Sequence, residues 1–186
     1  MASPQSVAPV KLLVALLWGD AESRDEACRR LELLWGPIDV CGEDRPFDAT
    51  DYYESEMGAG LRRRLVAFER LVSPESLADA KWACNVLEDE LATGGRRRVN
   101  LDIGYLDLSK VVLASVKYAG QKIAIGRGIY ADLVGRYARG RYQPFEWTFP
   151  DFRDGRYDED LGRIRLRYRE QLRSAPVPCP ERTDRE

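Results

Sequence analysis

The segment Val10-Lys-Leu-Leu-Val-Ala-Leu-Leu-Trp18 constrains the fold more than any other. It has nine residues, all apolar except Lys11, and is closed by Gly19-Asp20. Such a run is too short to span a bilayer and lacks the alternation of a half-solvated strand, so it is expected to be a central β-strand buried on both faces. No basic region with a small-residue cleavage site precedes it, which argues against export and membrane insertion. The four cysteines have no C-x-x-C spacing, as expected of a reduced, cytoplasmic protein.

Signals for the other elements follow in order. Ser23-Arg-Asp-Glu26 has capping-box spacing, and Ala27, Leu31, Leu34 and Trp35 recur at helical intervals until Gly36-Pro37. Ile38 to Cys41 reads as a second strand and Leu61 to Val72 as a third, although Arg62-Arg63-Arg64 leaves a helix open there. Ser73 and Pro74 start a helix with Leu77, Ala80, Cys84, Leu87 and Leu91 on one face, ending before Gly94-Gly95. Then come short β-prone runs at Arg97 to Leu101, Lys110 to Lys117, Lys122 to Ile125 and Ile129 to Tyr137, with a hairpin turn expected at Ala119-Gly120. Asp158 to Leu172 closes the chain as an amphipathic helix. The expected class is α+β: a ferredoxin-like βαββαβ pattern extended by an antiparallel β meander and a C-terminal helix. Residues 10–173 form one domain, between flexible tails at 1–9 and 174–186.

Composition enters with the chemistry. The chain has no histidine, which excludes Ser-His-Asp and Cys-His catalysis and every His-ligated metal site. Charge is unevenly spread: residues 1–60 carry 5 basic and 12 acidic side chains, whereas residues 96–142 carry 10 basic and 3 acidic. Either the two regions pair within the domain or the basic one meets an anion.

Three polar groups stand out. Glu56 follows Tyr52 and Tyr53 before the turn at Gly58-Ala-Gly60, where a carboxylate beside two phenols can work as acid or base or simply satisfy loop N–H groups. Lys81, Asn85 and Glu88 lie at i, i+4 and i+7, one helical stripe that suits either a polar ligand or solvent. Arg98, Asn100 and Asp102 share a strand face by the period of two, with Gly104 ending the strand so that Tyr105 turns back. A cation, an amide and a carboxylate on one face make an exposed edge, a self-satisfied network or the floor of a pocket.

Asp48-Ala-Thr-Asp-Tyr-Tyr53, Glu56-Met57-Gly58, Lys81 with Asn85 and Glu88, Asn100-Leu-Asp-Ile-Gly-Tyr105, Leu113-Ala-Ser-Val-Lys117, Gly128-Ile-Tyr130 and Trp147-Thr-Phe-Pro-Asp151 together resemble the bacterial family catalogued as domain of unknown function 4416. The resemblance runs from about Val10 to Leu172. It implies no activity, but marks these polar positions as part of a shared pattern. Against that pattern, Ile103 replaces a usual Pro, Gln121-Lys122 replaces a His-Arg pair, and Phe149 and Phe152 replace Tyr. The Gly126-Arg127-Gly128 segment lacks the P-loop and dinucleotide fingerprints and is expected to be a hairpin.

Two functions are expected. The first is a pocket for a small phosphorylated or carboxylated ligand, nucleotides included, formed by Tyr53, Asn85, Glu88, Arg98, Asn100, Tyr105, Lys117 and Lys122. Glu56, Lys81 and Asp102 are its catalytic candidates if it is an enzyme, and Glu56, Asp102 and Asp151 are hard-oxygen groups suited to Mg²⁺. The alternative is a non-enzymatic module that binds RNA or a protein through residues 96–142, where Tyr118, Tyr130, Tyr137 and Tyr142 interleave with Arg136, Arg139 and Arg141.

Overall fold

The computed structural model describes residues 6–174. Its elements in chain order are β1 (Val10–Trp18), α1 (Ala21–Trp35), β2 (Ile38–Cys41), β3 (Arg45–Pro46), α2 (Glu54–Met57), β4 (Arg62–Val72), α3 (Leu77–Leu91), β5 (Val99–Leu106), β6 (Lys110–Ser115), β7 (Ile123–Gly126), β8 (Ile129–Ala138), β9 (Arg141–Pro144), α4 (Pro150–Arg153) and α5 (Asp158–Ser174). One sheet contains all the strands in the order β2-β4-β1-β5-β6-β8-β7, with β3 on β4 and β9 on β8. The class is α+β with antiparallel pairing throughout the sheet. The expected tails fall largely on residues 1–5 and 175–186, outside the described residues; Ser174 is the last residue of α5.

β1 is the central strand its composition predicts, and all nine of its residues are buried. Leu12, Val14, Leu16 and Trp18 face a layer made by α1 and α3, while Leu13 and Ala15 face α4 and α5. Each large apolar side chain removed from water in this way contributes about 1.5–3 kcal/mol. Lys11 is accommodated by partners: its Nζ donates to both carboxylate oxygens of Asp39 at 2.7 and 2.6 Å and to Gln171 Oε1 at 2.9 Å. Asp39 also accepts from Arg167 Nε at 2.9 Å, which pins α5 to the sheet.

Several local expectations are corrected. Asp20, rather than Ser23, caps α1, its carboxylate accepting from the Ser23 N–H at 2.9 Å. Leu34 is exposed on α1, away from the buried stripe of Ala27, Leu31 and Trp35. β5 does not stop at Gly104 but runs on to Leu106. The meander is interrupted, because β8 pairs with both β6 and β7 and separates them. Ala119-Gly120 is therefore part of a crossing connection, with the Lys122 N–H bonded to the Ala119 carbonyl, and not a hairpin between neighbours. The expected hairpin at Gly126-Arg127-Gly128 does join β7 to β8, and Arg127 and Gly128 both have positive φ, 54° and 73°. Positive φ at both central positions matches the twist of paired strands.

Candidate functional site

The site begins where two strands part. β5 and β6 are paired only from Gly104 to Leu106 against Val111 to Leu113. Gly104 permits the close contact there, since a Cβ would stand 2.1 Å from the Val112 carbonyl oxygen. N-terminal to this point β5 stays on β1 back to Val99, while β6 diverges. The Leu101 peptide groups on the open side would then be orphaned at a cost of about 1–3 kcal/mol each. Two side chains of α3 replace the missing strand: Lys81 Nζ donates to the Leu101 carbonyl at 3.0 Å, and the Leu101 N–H donates to Glu88 Oε1 at 2.7 Å.

The wedge so opened holds a cavity of about 760 Å³. Lys81, Asn85 and Glu88 line it from α3, Asn100 and Asp102 from β5, Arg63 from β4, and Leu113 to Tyr118 with Lys122 and Asp132 from the β6 and β8 side. The segment before β4 supplies Phe47, Tyr52, Tyr53 and Glu56, and the approach to α4 supplies Phe149 and Pro150. The helical spacing of 81, 85 and 88 and the strand spacing of 100 and 102 thus place these residues around one concavity.

Most of its charges are paired with one another. Arg63, 1% exposed, donates to Asp102 at 2.9 Å and to Asp151 at 2.8 Å and lies 4.4 Å over the Phe47 ring. Arg97 donates to Asn100 Oδ1 at 2.9 Å and stands 3.5 Å from Glu88 and 3.8 Å from Glu56. Lys122 donates to Ser115 Oγ at 2.9 Å and is 3.4 Å from Asp132. Burial pushes the Glu88 carboxyl above its usual value against the opposing charge of Lys81, 3.7 Å away. Burial, reinforced by the Asp102 charge, likewise raises the Tyr53 phenol. Lys117 differs: its Nζ donates to Tyr52 Oη at 2.5 Å and lies 4.2 Å over that ring, and no carboxylate among the described residues pairs with it.

Two expected residues are elsewhere. Arg98 precedes β5, so the two-residue period does not carry it to the Asn100 face; its guanidinium donates to Asp20 at 3.0 Å beside a smaller cavity of about 450 Å³. Tyr105 continues β5 instead of turning back and packs with the α1/α3 layer. The oxygen set suggested for Mg²⁺ is not assembled either, because the Arg63 guanidinium bridges Asp102 and Asp151, and no cluster of three such ligands occurs among the described residues. Arg63, Arg97 and Asp132 are site residues that sequence reasoning missed. Only strand pairing reveals the first and third, and Arg97 was the neighbour of a residue chosen by parity.

Fold and site together define a class: an α+β protein whose sheet is parted to hold a polar and aromatic cavity. The chain belongs to the family described as Domain of unknown function (DUF4416), whose model matches residues 8–168. No curated protein and no solved structure matches it. Among the described residues no helix is long and apolar enough to cross a membrane.

Proposed function

We propose that the protein binds a small anionic molecule, phosphorylated or carboxylated, in the cavity between α3, β5 and β6. One observation carries the reading. Arg63, Lys81, Arg97 and Lys122 each lie within ion-pair distance of a carboxylate, whereas Lys117, an exposed residue that lines the same cavity, has none among the described residues. An ammonium in that setting is the natural partner of a ligand anion. Lys122 stands beside it through Ser115, whose Oγ also accepts from the Lys117 N–H at 3.1 Å.

Binding is favoured over acid–base catalysis. Lys81 and Glu88 are occupied in holding Leu101, and Asp102 is held by Arg63. Glu56 is an exposed carboxylate at the cavity wall, 3.8 Å from Arg97. The alternative RNA or protein module draws less support, because Tyr142 is buried and Arg165 covers the Tyr137 ring at 3.6 Å. The order β5-β1-β4-β2, antiparallel throughout, supports a ferredoxin-like reading of residues 10–106. Free thiols at Cys28, Cys41 and Cys84 support a cytoplasmic location.

The test is a thermal-shift screen of phosphate- and carboxylate-bearing metabolites on the wild type and on Lys117→Ala. A stabilising compound is expected, with its shift largely lost in the variant. Undiminished stabilisation of Lys117→Ala would refute the assignment.

A further inference from the structure

The mouth of the cavity exposes rings that the protein's own packing leaves open. Phe149 is 41% and Tyr118 73% exposed, and both line the cavity. Deeper in, Arg63 Nε has no hydrogen-bond partner among the described residues, and neither do two atoms on β5 and β8: Asn100 Nδ2, a donor, and Asp132 Oδ1, an acceptor. Asn100 and Asp132 are only 4% and 5% exposed, and a buried polar atom left unpaired is costly. Asn100 is on β5 and Asp132 on β8, with β6 between them. Two strand spacings put their backbones at least about 10 Å apart, and the parting of β5 from β6 widens this further.

A ligand that answers both atoms must therefore be longer than a two- or three-carbon phosphate, carry both an acceptor and a donor, and offer a flat face to the exposed rings. We propose that it is a free mononucleotide, an inference that rests on the anion-binding reading above. Its base stacks against Phe149 and Tyr118, its polar edge and sugar hydroxyls meet Asn100 Nδ2 and Asp132 Oδ1, and its phosphate lies at Lys117. The ammonium spends one donor on Tyr52 and keeps the others for phosphate oxygens.

Isothermal titration with the four common ribonucleoside monophosphates, ribose 5-phosphate, inorganic phosphate and a hexauridylate strand tests this. At least one monophosphate is expected to bind at least about tenfold more tightly than ribose 5-phosphate, in line with the stacking contribution of one base on an aromatic side chain. Phe149→Ala and Tyr118→Ala remove exposed rings and should leave the melting temperature intact. Each should weaken the nucleotide about fivefold or more while leaving ribose 5-phosphate within about twofold. If ribose 5-phosphate binds as tightly as every mononucleotide, the base assignment fails and the anion site stands. Failure of every phosphate-bearing probe removes both. Hexauridylate binding about tenfold tighter than any mononucleotide overturns the proposal in favour of an RNA strand.

Discussion

Replacing Arg63 tests the framework of the site most directly. Among the described residues its guanidinium is the one cation serving both Asp102 and Asp151, and Asp151 is as deeply buried as Arg63 itself. In Arg63→Met the Asp151 carboxylate keeps, among the described residues, only the Tyr157 hydroxyl, at 3.0 Å. Breaking a buried pair from one side costs about 3–5 kcal/mol, because the surviving charge is stranded away from water. Asp102 is partly solvated and adds little. Against a total stability of about 5–15 kcal/mol the loss is severe, and at about 2–4 °C per kcal/mol it lowers the melting temperature by about 6–20 °C. Urea unfolding followed by tryptophan fluorescence measures it. Adding Asp102→Asn and Asp151→Asn to Arg63→Met should recover most of the loss, since no charge is then left buried. A single variant within about 1 kcal/mol of wild type, or a triple variant no better than the single, would refute the reasoning.

Three further outcomes are expected. Gly104→Ala drives a Cβ into the Val112 carbonyl where β5 and β6 are still paired, so it should cost at least about 2 kcal/mol in the same urea assay. Glu88→Leu orphans the Leu101 N–H and should cost about 1–3 kcal/mol, whereas Glu88→Gln keeps an acceptor there. Because burial raises the Glu88 carboxyl, its contribution is fully present below the ordinary value of 4.5 and is lost as pH rises through the raised one. The stability of Glu88→Gln relative to wild type should therefore increase with pH from about 4.5 towards neutrality, which urea titrations across that range would reveal. Burial pushes the Cys28 thiol up to about 11 and raises Cys84 as well, so alkylation at pH 8 followed by peptide mass mapping should find both unmodified until the protein is denatured.

The parts of this molecule that were legible in the sequence are those set by local periodicity. β1, α3 and α5 announce themselves through apolar spacing and end signals, and the stripe of Lys81, Asn85 and Glu88 follows from the same helical pitch. Arg63 was hidden because three successive arginines show no alternation; pairing of β4 with β1 sets Arg63 on the same face as Leu65, while Arg64 reaches Asp44 on the other. The insertion of β8 between β6 and β7 is a non-local choice that no turn signal encodes. The cavity itself depends on a pairing that stops, and a strand pattern does not record where its partner leaves. Asp132 became a site residue only through the register that sets it opposite Leu113.

The buried ammonium of Lys11 also bears on how the chain is made. Its carboxylate partner lies 28 residues downstream, but its amide partner, Gln171, lies 160 residues away. At about 5–20 residues per second, a ribosome needs on the order of ten seconds or more to cover that distance. Throughout that interval the central strand exists without α5 to cover it, and Leu13, Ala15, Leu65 and Ala67 present an apolar sheet face to solvent or to whatever chaperone is at hand. Truncation before Asp158 removes Leu161, Ile164 and Tyr168 and would prolong that state indefinitely, so nascent chains cut short ahead of the last helix are natural substrates for quality control.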